Sequence, residues 1–164
     1  MATVLKAQQP TLRSFIVYDR LPAGCLAYPV TDEANAPHLR PGDIAIIDTA
    51  DREPANGDLF VIDWQSGGSD IVETWSQRMQ AGCGPNREII DTVCWKVAGS
   101  NRARTAAGVM ERMRAGRLVG WVDGPYATEG PNAGVLNRKL RGRVVGILQP
   151  AAAEPLRLIS SEGR

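Results

Sequence analysis

Carboxylates, the chain's one histidine and a threonine gather around two glycine-aspartate turns. The first stretch, Asp32 to Asp48, reads DEANAPHLRPGDIAIID, and the second, Pro54 to Trp64, reads PANGDLFVIDW. Asp32 and Glu33 head the first stretch, and Glu73 and Thr74 follow shortly after the second. If these groups faced one another across a site, two nearby carboxylates would resist ionising together, and one would keep a proton for acid-base work. The simpler reading is a solvated strand face, because such a shift requires burial. With a single histidine, imidazole chemistry rests on His38 alone. His38 with Asp32 and Asp43 has the composition of a one-histidine, two-carboxylate metal site, but these types are common in turns and no helical ligand spacing is present. Asp32, Glu33 and His38 are therefore taken as candidate binding residues, with no metal and no cofactor expected.

Two arginine groups could contact phosphates. Arg102, Arg104, Arg112, Arg114 and Arg117 form one, and Arg138, Lys139, Arg141 and Arg143 the other. A solvated cationic face is the favoured reading, since no aromatic residues interleave with either group. Ser66, Ser69 and Ser76 are the nearby hydroxyls, and the first two flank a Gly67-Gly68 turn where exposed serines are expected.

The elements that must position these residues are mainly strands. Each Gly-Asp (Gly42-Asp43 and Gly57-Asp58) precedes an apolar, β-branched run, the pattern of a tight turn entering a strand. Phe15 to Tyr18 and Cys25 to Val30 read as two strands around a turn. Ile44 to Asp48, Leu59 to Trp64 and Ile71 to Trp75 follow as a meander, the last two joined in a hairpin at Gly67-Gly68. Gln80 to Asn86 is read as a loop and Ile89 to Val97 as a strand. Ser100 to Ala115 is predicted to be the one helix, capped by Ser100 and Asn101, with Ala106, Val109, Met110 and Met113 as its core stripe. Leu118 to Val122 is a strand, Gly124 to Gly134 a loop, and Leu140 to Leu148 the closing strand. Trp64, Trp75, Trp95 and Trp121 all fall in predicted strands, which makes core or interface packing their expected role.

The chain has 164 residues, 43% of them hydrophobic, enough for one core. A single β domain over residues 1–149 is expected, with an excursion over 80–117 and a flexible tail from 150 to 164. Nineteen basic residues against eighteen acidic ones leave a charge of +1, so no global field draws the protein to nucleic acid or membrane. Cys25, Cys83 and Cys94 lack the number and spacing of a disulfide framework or zinc site, which points to the cytoplasm. No signal-peptide core or membrane-spanning run is read in the sequence.

The order and spacing of Asp32-Glu33-Ala34-Asn35, Pro37, Leu39, Gly42-Asp43, Gly57-Asp58 and the closing Arg141-Gly142-Arg143-Val144-Val145-Gly146 resemble the carboxy-terminal domain of the LexA/UmuD family of serine-lysine autopeptidases. That family carries Gly-Asp-Ser-Met, a Pro, a Gly-Asp and a strand. The resemblance extends over about Ile16 to Leu148 and implies a strongly bent antiparallel or mixed sheet. It places the family's serine on Ala34 and its lysine on Glu73, or on Thr74 if the hairpin slips by one residue. Serine attack assisted by a neutral, buried lysine is then lost. The absence of a helix-turn-helix segment before Phe15 makes the chain more similar to the UmuD branch. Ala23-Gly24, the dipeptide type at which the family often cuts itself, lies too close to Ala34 and is read as a turn.

The resemblance implies a homodimer joined through sheet edges, with Leu140 to Leu148 as the candidate edge. The leading expectation is a non-catalytic dimerisation and interaction module in phage or stress-type regulation, with a regulatory protein as partner. Two other readings stay open. One is a hydrolase with a displaced nucleophile such as Ser76 or Thr74. The other is an arginine-mediated nucleic-acid accessory protein, which is less favoured.

Overall fold

Ile44–Asp48 and Leu59–Asp63 are apolar on successive residues rather than alternate ones, the pattern of strands covered on both faces. The computed structural model of the protein describes residues 14–83, 89–117 and 119–150. Its strands are β1 (Ile16–Tyr18), β2 (Cys25–Pro29), β3 (Ile44–Asp48), β4 (Leu59–Asp63), β5 (Ser69–Cys83), β6 (Ile89–Ala98), β7 (Val122–Ala127) and β8 (Leu140–Leu148). The helices are α1 (Ala106–Arg114) and α2 (Val135–Lys139). All eight strands form one sheet in the order β2-β3-β8-β4-β5-β6-β7, antiparallel throughout except that β1 pairs parallel with β8. The fold is mainly β, as expected, with two described helices rather than one.

The two faces of β4 bury two separate cores. Leu59 and Val61 join Val30, Leu39, Ala45, Ile47, Ile71 and Val144 on one side. Phe60 and Ile62 join Val72, Val97, Tyr126, Leu136 and Leu140 on the other. This follows from the two-residue period of a strand. It also fixes the face of every neighbour in register, because Leu59 stands opposite Glu73 and Phe60 opposite Val72.

The closing strand is interior, which corrects its expected role as an edge. β8 pairs with β3 along one side, and along the other with β4 near its start and β1 near its end. It therefore also separates β3 from β4, so the expected meander is broken between them. The glycines of the closing motif make these approaches possible. A β-carbon on Gly142 would lie 2.2 Å from the Asp48 carbonyl oxygen, and one on Gly146 2.5 Å from the Tyr18 ring. The ends of the sheet order are β2 and β7. β1 and β2 are both present but do not pair with each other.

Gly42 and Gly57 adopt φ of 97° and 81°, as the turn reading requires. The Gly67-Gly68 hairpin forms, with Trp64 N–H donating to the Gly68 carbonyl. Elsewhere local signals misled. β5 continues through the expected loop as far as Cys83, and β6 pairs with it as a long hairpin, so most of 80–98 belongs to the sheet. Residues 84–86 of the expected loop, Leu118 and the 151–164 part of the expected tail lie outside the described residues. The expected 118–122 strand is displaced to β7, across Gly124-Pro125. Proline is tolerated there because Gly124-Pro125 falls in the irregularity between the Trp95–Tyr126 and Val97–Asp123 pairs, where no rung forms.

The helix begins later than its sequence signal. α1 is capped by Thr105, whose side chain accepts from Gly108 N–H, and not by Ser100 or Asn101. No residue of α1 is buried, and Met110 and Met113 are exposed, so its apolar stripe does not enter the core. Trp64 and Trp121 lie just outside strands β4 and β7 rather than within them.

Candidate functional site

The segment from Val30 to Asp43 covers one core. Val30 N–H donates to the Asp43 carbonyl and Gly42 N–H to the Val30 carbonyl, which closes its base, while buried Leu39 anchors its middle. Asn35 ties the tip to the sheet. β6 ends opposite Glu73, leaving the Ile71 carbonyl beyond its last rung. The Asn35 side-chain amide donates to that carbonyl at 2.7 Å, and its oxygen accepts from Ser100 N–H at 3.0 Å. One buried side chain thus satisfies two backbone groups that the ladder leaves behind.

Ala34 is held by the same segment. Its carbonyl accepts from Asn101 N–H at 2.8 Å, and a β-carbon on Gly99 would come within 2.5 Å of that oxygen. Asp32 caps the turn by accepting from Ala34 N–H, and the Glu33 carbonyl accepts from the Asn101 side chain. Asp32, Glu33 and Ala34 form one wall of a cavity of about 600 Å³ whose other walls include Gly99, Arg102, Arg112 and Trp121.

Glu73 shares the sheet face that this segment covers, since it alternates with Ile71 and stands opposite Leu59. Thr74 points to the other face, where it is buried and its hydroxyl donates to the Ala55 carbonyl at 2.6 Å. Of the two positions left open by the sequence, only Glu73 faces the Ala34 side. It is 4% exposed. Arg104 donates to both carboxylate oxygens at 3.2 and 3.0 Å, and Arg102 to one at 3.3 Å. Arg102 also donates to the Gly99 carbonyl and stacks 3.8 Å above the Trp75 ring, so the same guanidinium touches the strand carrying Glu73 and the glycine that packs on Ala34.

Burial draws the Arg102 pKa down, and the Glu73 carboxylate opposes that shift. The carboxylate is engaged as an acceptor by cations. It does not face Asp32 or Glu33 as an acid-base partner. Arg102, expected on a solvated or phosphate-facing cationic face, is instead a buried partner of Glu73. Sequence spacing carries no signal for that, because the two residues meet only through the β5–β6 register and the turn after it.

The other candidates separate. His38 is half-buried, with its backbone N–H donating to the Asn35 carbonyl, and the Asp43 side chain accepts from the Arg40 backbone N–H. Among the described residues no group of three His, Cys, Asp or Glu side chains is arranged to hold a metal ion, so His38, Asp32 and Asp43 do not form the set considered above. Ser76 Oγ donates to the Asn56 side-chain oxygen, which also accepts from Ser76 N–H. Arg141 pairs with Asp63 at 2.5 Å, and Arg143 with Asp51 and Asp58. The Lys139 ammonium donates to the Tyr126 hydroxyl at 3.0 Å. Arg138 is exposed. Most of this second basic group is thus committed within the fold. No described helix is long and apolar enough to cross a membrane.

Comparison with protein-family models, with characterised proteins and with solved structures gives no match.

Proposed function

We propose that the protein is a catalytically retired domain of LexA/UmuD type, with the bent sheet of that family, acting in the cytoplasm as a dimerising, protein-binding module in phage or stress-type regulation. The observation that carries this reading is the pairing of two changes at one place. Alanine stands at the serine position on a tightly held turn. At the lysine position a glutamate shares that face of the sheet, its carboxylate held by Arg102 and Arg104. An alanine offers no nucleophile, and a carboxylate engaged by two guanidiniums is no substitute for a neutral amine. The arginines further imply that Glu73→Lys alone cannot rebuild a dyad, because the new ammonium would meet two like charges.

With β8 enclosed, self-association needs another surface. Ile16, Val17, Leu21 and Leu26 are exposed around β1 and β2, and β2 is an end strand. Sedimentation velocity across micromolar concentrations is expected to show a dimer. A monomer throughout that range would contradict the module as proposed.

A further inference from the structure

Trp64 and Trp121 meet edge to face, with ring centroids 5.1 Å apart and planes at 74°. Together with Val122 they wall an open cavity of about 380 Å³ whose polar members are Asp70 and Asp123. Each carboxylate is oriented by a neutral donor. Trp64 Nε1–H donates to Asp70 Oδ2 at 2.5 Å, and the Tyr126 hydroxyl donates to Asp123 Oδ2. Neither aspartate makes an ion pair among the described residues. Trp121 is 46% exposed although it is one of the largest apolar side chains present.

Two indoles beside two carboxylates without countercharge are complementary to a cation that is also flat or apolar. Lys139 lies 5.9 Å from the Trp64 centroid and is bonded to the Tyr126 hydroxyl, while Arg102, Arg112 and Arg117 line the neighbouring cavity that shares Trp121. Lys139 offsets part of the Asp123 charge through that hydroxyl, and among the described residues no cation pairs with Asp70. The protein contains a filled version of the same chemistry elsewhere. Arg102 lies 3.8 Å over Trp75 while donating to Glu73, a guanidinium between an indole and a carboxylate. Guanidinium suits such a place better than ammonium because it is planar, stacks on aromatic faces and is less strongly hydrated.

We infer that the Trp64–Trp121 corner, with Asp70 and Asp123, is a docking site for an arginine side chain presented by a partner protein. Trp121 also walls the Ala34 cavity, but Trp64, Asp70 and Asp123 do not, so the Asp70→Asn arm of the test reads this corner however Ala34 and Glu73 are read. An acetylated and amidated Gly-Arg-Gly peptide, titrated against the ¹⁵N-labelled full chain, is expected to shift the Trp64 and Trp121 indole N–H signals saturably. The citrulline peptide, uncharged but nearly the same shape, is expected to bind at least about tenfold more weakly. Trp121→Ala is expected to weaken the arginine peptide by about two- to thirtyfold. Asp70→Asn, which keeps an acceptor for Trp64, is expected to weaken it in the same direction, with an unchanged far-ultraviolet spectrum reporting that the fold persists. Equal binding of the citrulline peptide, no saturable shift, or undiminished affinity in folded Trp121→Ala would overturn the assignment.

Discussion

Replacing Glu73 by glutamine removes one negative charge while keeping size and an acceptor oxygen. The charge left behind is Arg102, whose side chain is only 7% exposed and cannot turn out to water without giving up its stacking on Trp75 and its bond to the Gly99 carbonyl. Arg104 is different. Its side chain is 52% exposed, so it can rehydrate, and its own contribution should be that of a surface pair, at most about 1 kcal/mol. Breaking a buried pair by neutralising one partner typically costs about 3–5 kcal/mol, because the other charge stays desolvated. The retained cation–π contact and amide acceptor place Glu73→Gln near the lower end, about 3 kcal/mol. For a chain of this size that corresponds to a fall of roughly 6–12 °C in Tm. Urea denaturation followed by tryptophan fluorescence would measure it, with Arg104→Ala as the control expected to lose no more than about 1 kcal/mol. A loss below about 1 kcal/mol for Glu73→Gln, or a larger loss for Arg104→Ala, would refute the claim that the buried Arg102–Glu73 pair holds this site together.

Gly142→Ala should destabilise by more than about 2 kcal/mol, since its methyl would overlap the Asp48 backbone and strand β3 cannot retreat without losing its pairing with β8; equilibrium denaturation close to wild type would contradict the crossing described here. Burial first, then the hydrogen bond to Asp123, raises the Tyr126 pKa above its ordinary value. The folded state then keeps a proton that the unfolded chain gives up, so this contribution is intact below about pH 10 and is lost progressively as pH rises beyond it. Tyr126→Phe should flatten the alkaline slope of stability, and an unchanged slope would remove Tyr126 as its source.

The strands were legible where the sequence wrote them locally. The β3 and β4 runs, the two positive-φ glycines and the full length of β8 follow from apolar runs and turn residues alone. The place of β8 between β3 and β4 was not legible, because strand order is set by long-range pairing. The glycines at 142 and 146 mark close approaches without naming the partner. The helix was misplaced because Ser100 and Asn101 look like caps, yet their backbone N–H groups are taken by the Asn35 side chain and the Ala34 carbonyl. Likewise Asn35, which binds the turn to two strand ends, gave no signal beyond being polar in a loop. The resemblance left Glu73 and Thr74 both open, and the arginine partners of Glu73 could be seen only once the turn after β6 brought Arg102 and Arg104 back over β5.

On the proposed function, the Ala34 site has lost its chemistry and no neighbouring hydroxyl has replaced it. Intact-mass spectrometry of the purified wild-type chain, incubated for days at neutral and alkaline pH with and without a serine-directed fluorophosphonate, tests this most directly. The predicted result is a single unchanged mass in every sample. A shortened chain, or a probe adduct mapped to Ser76 or Thr74, would show a working nucleophile and contradict the claim.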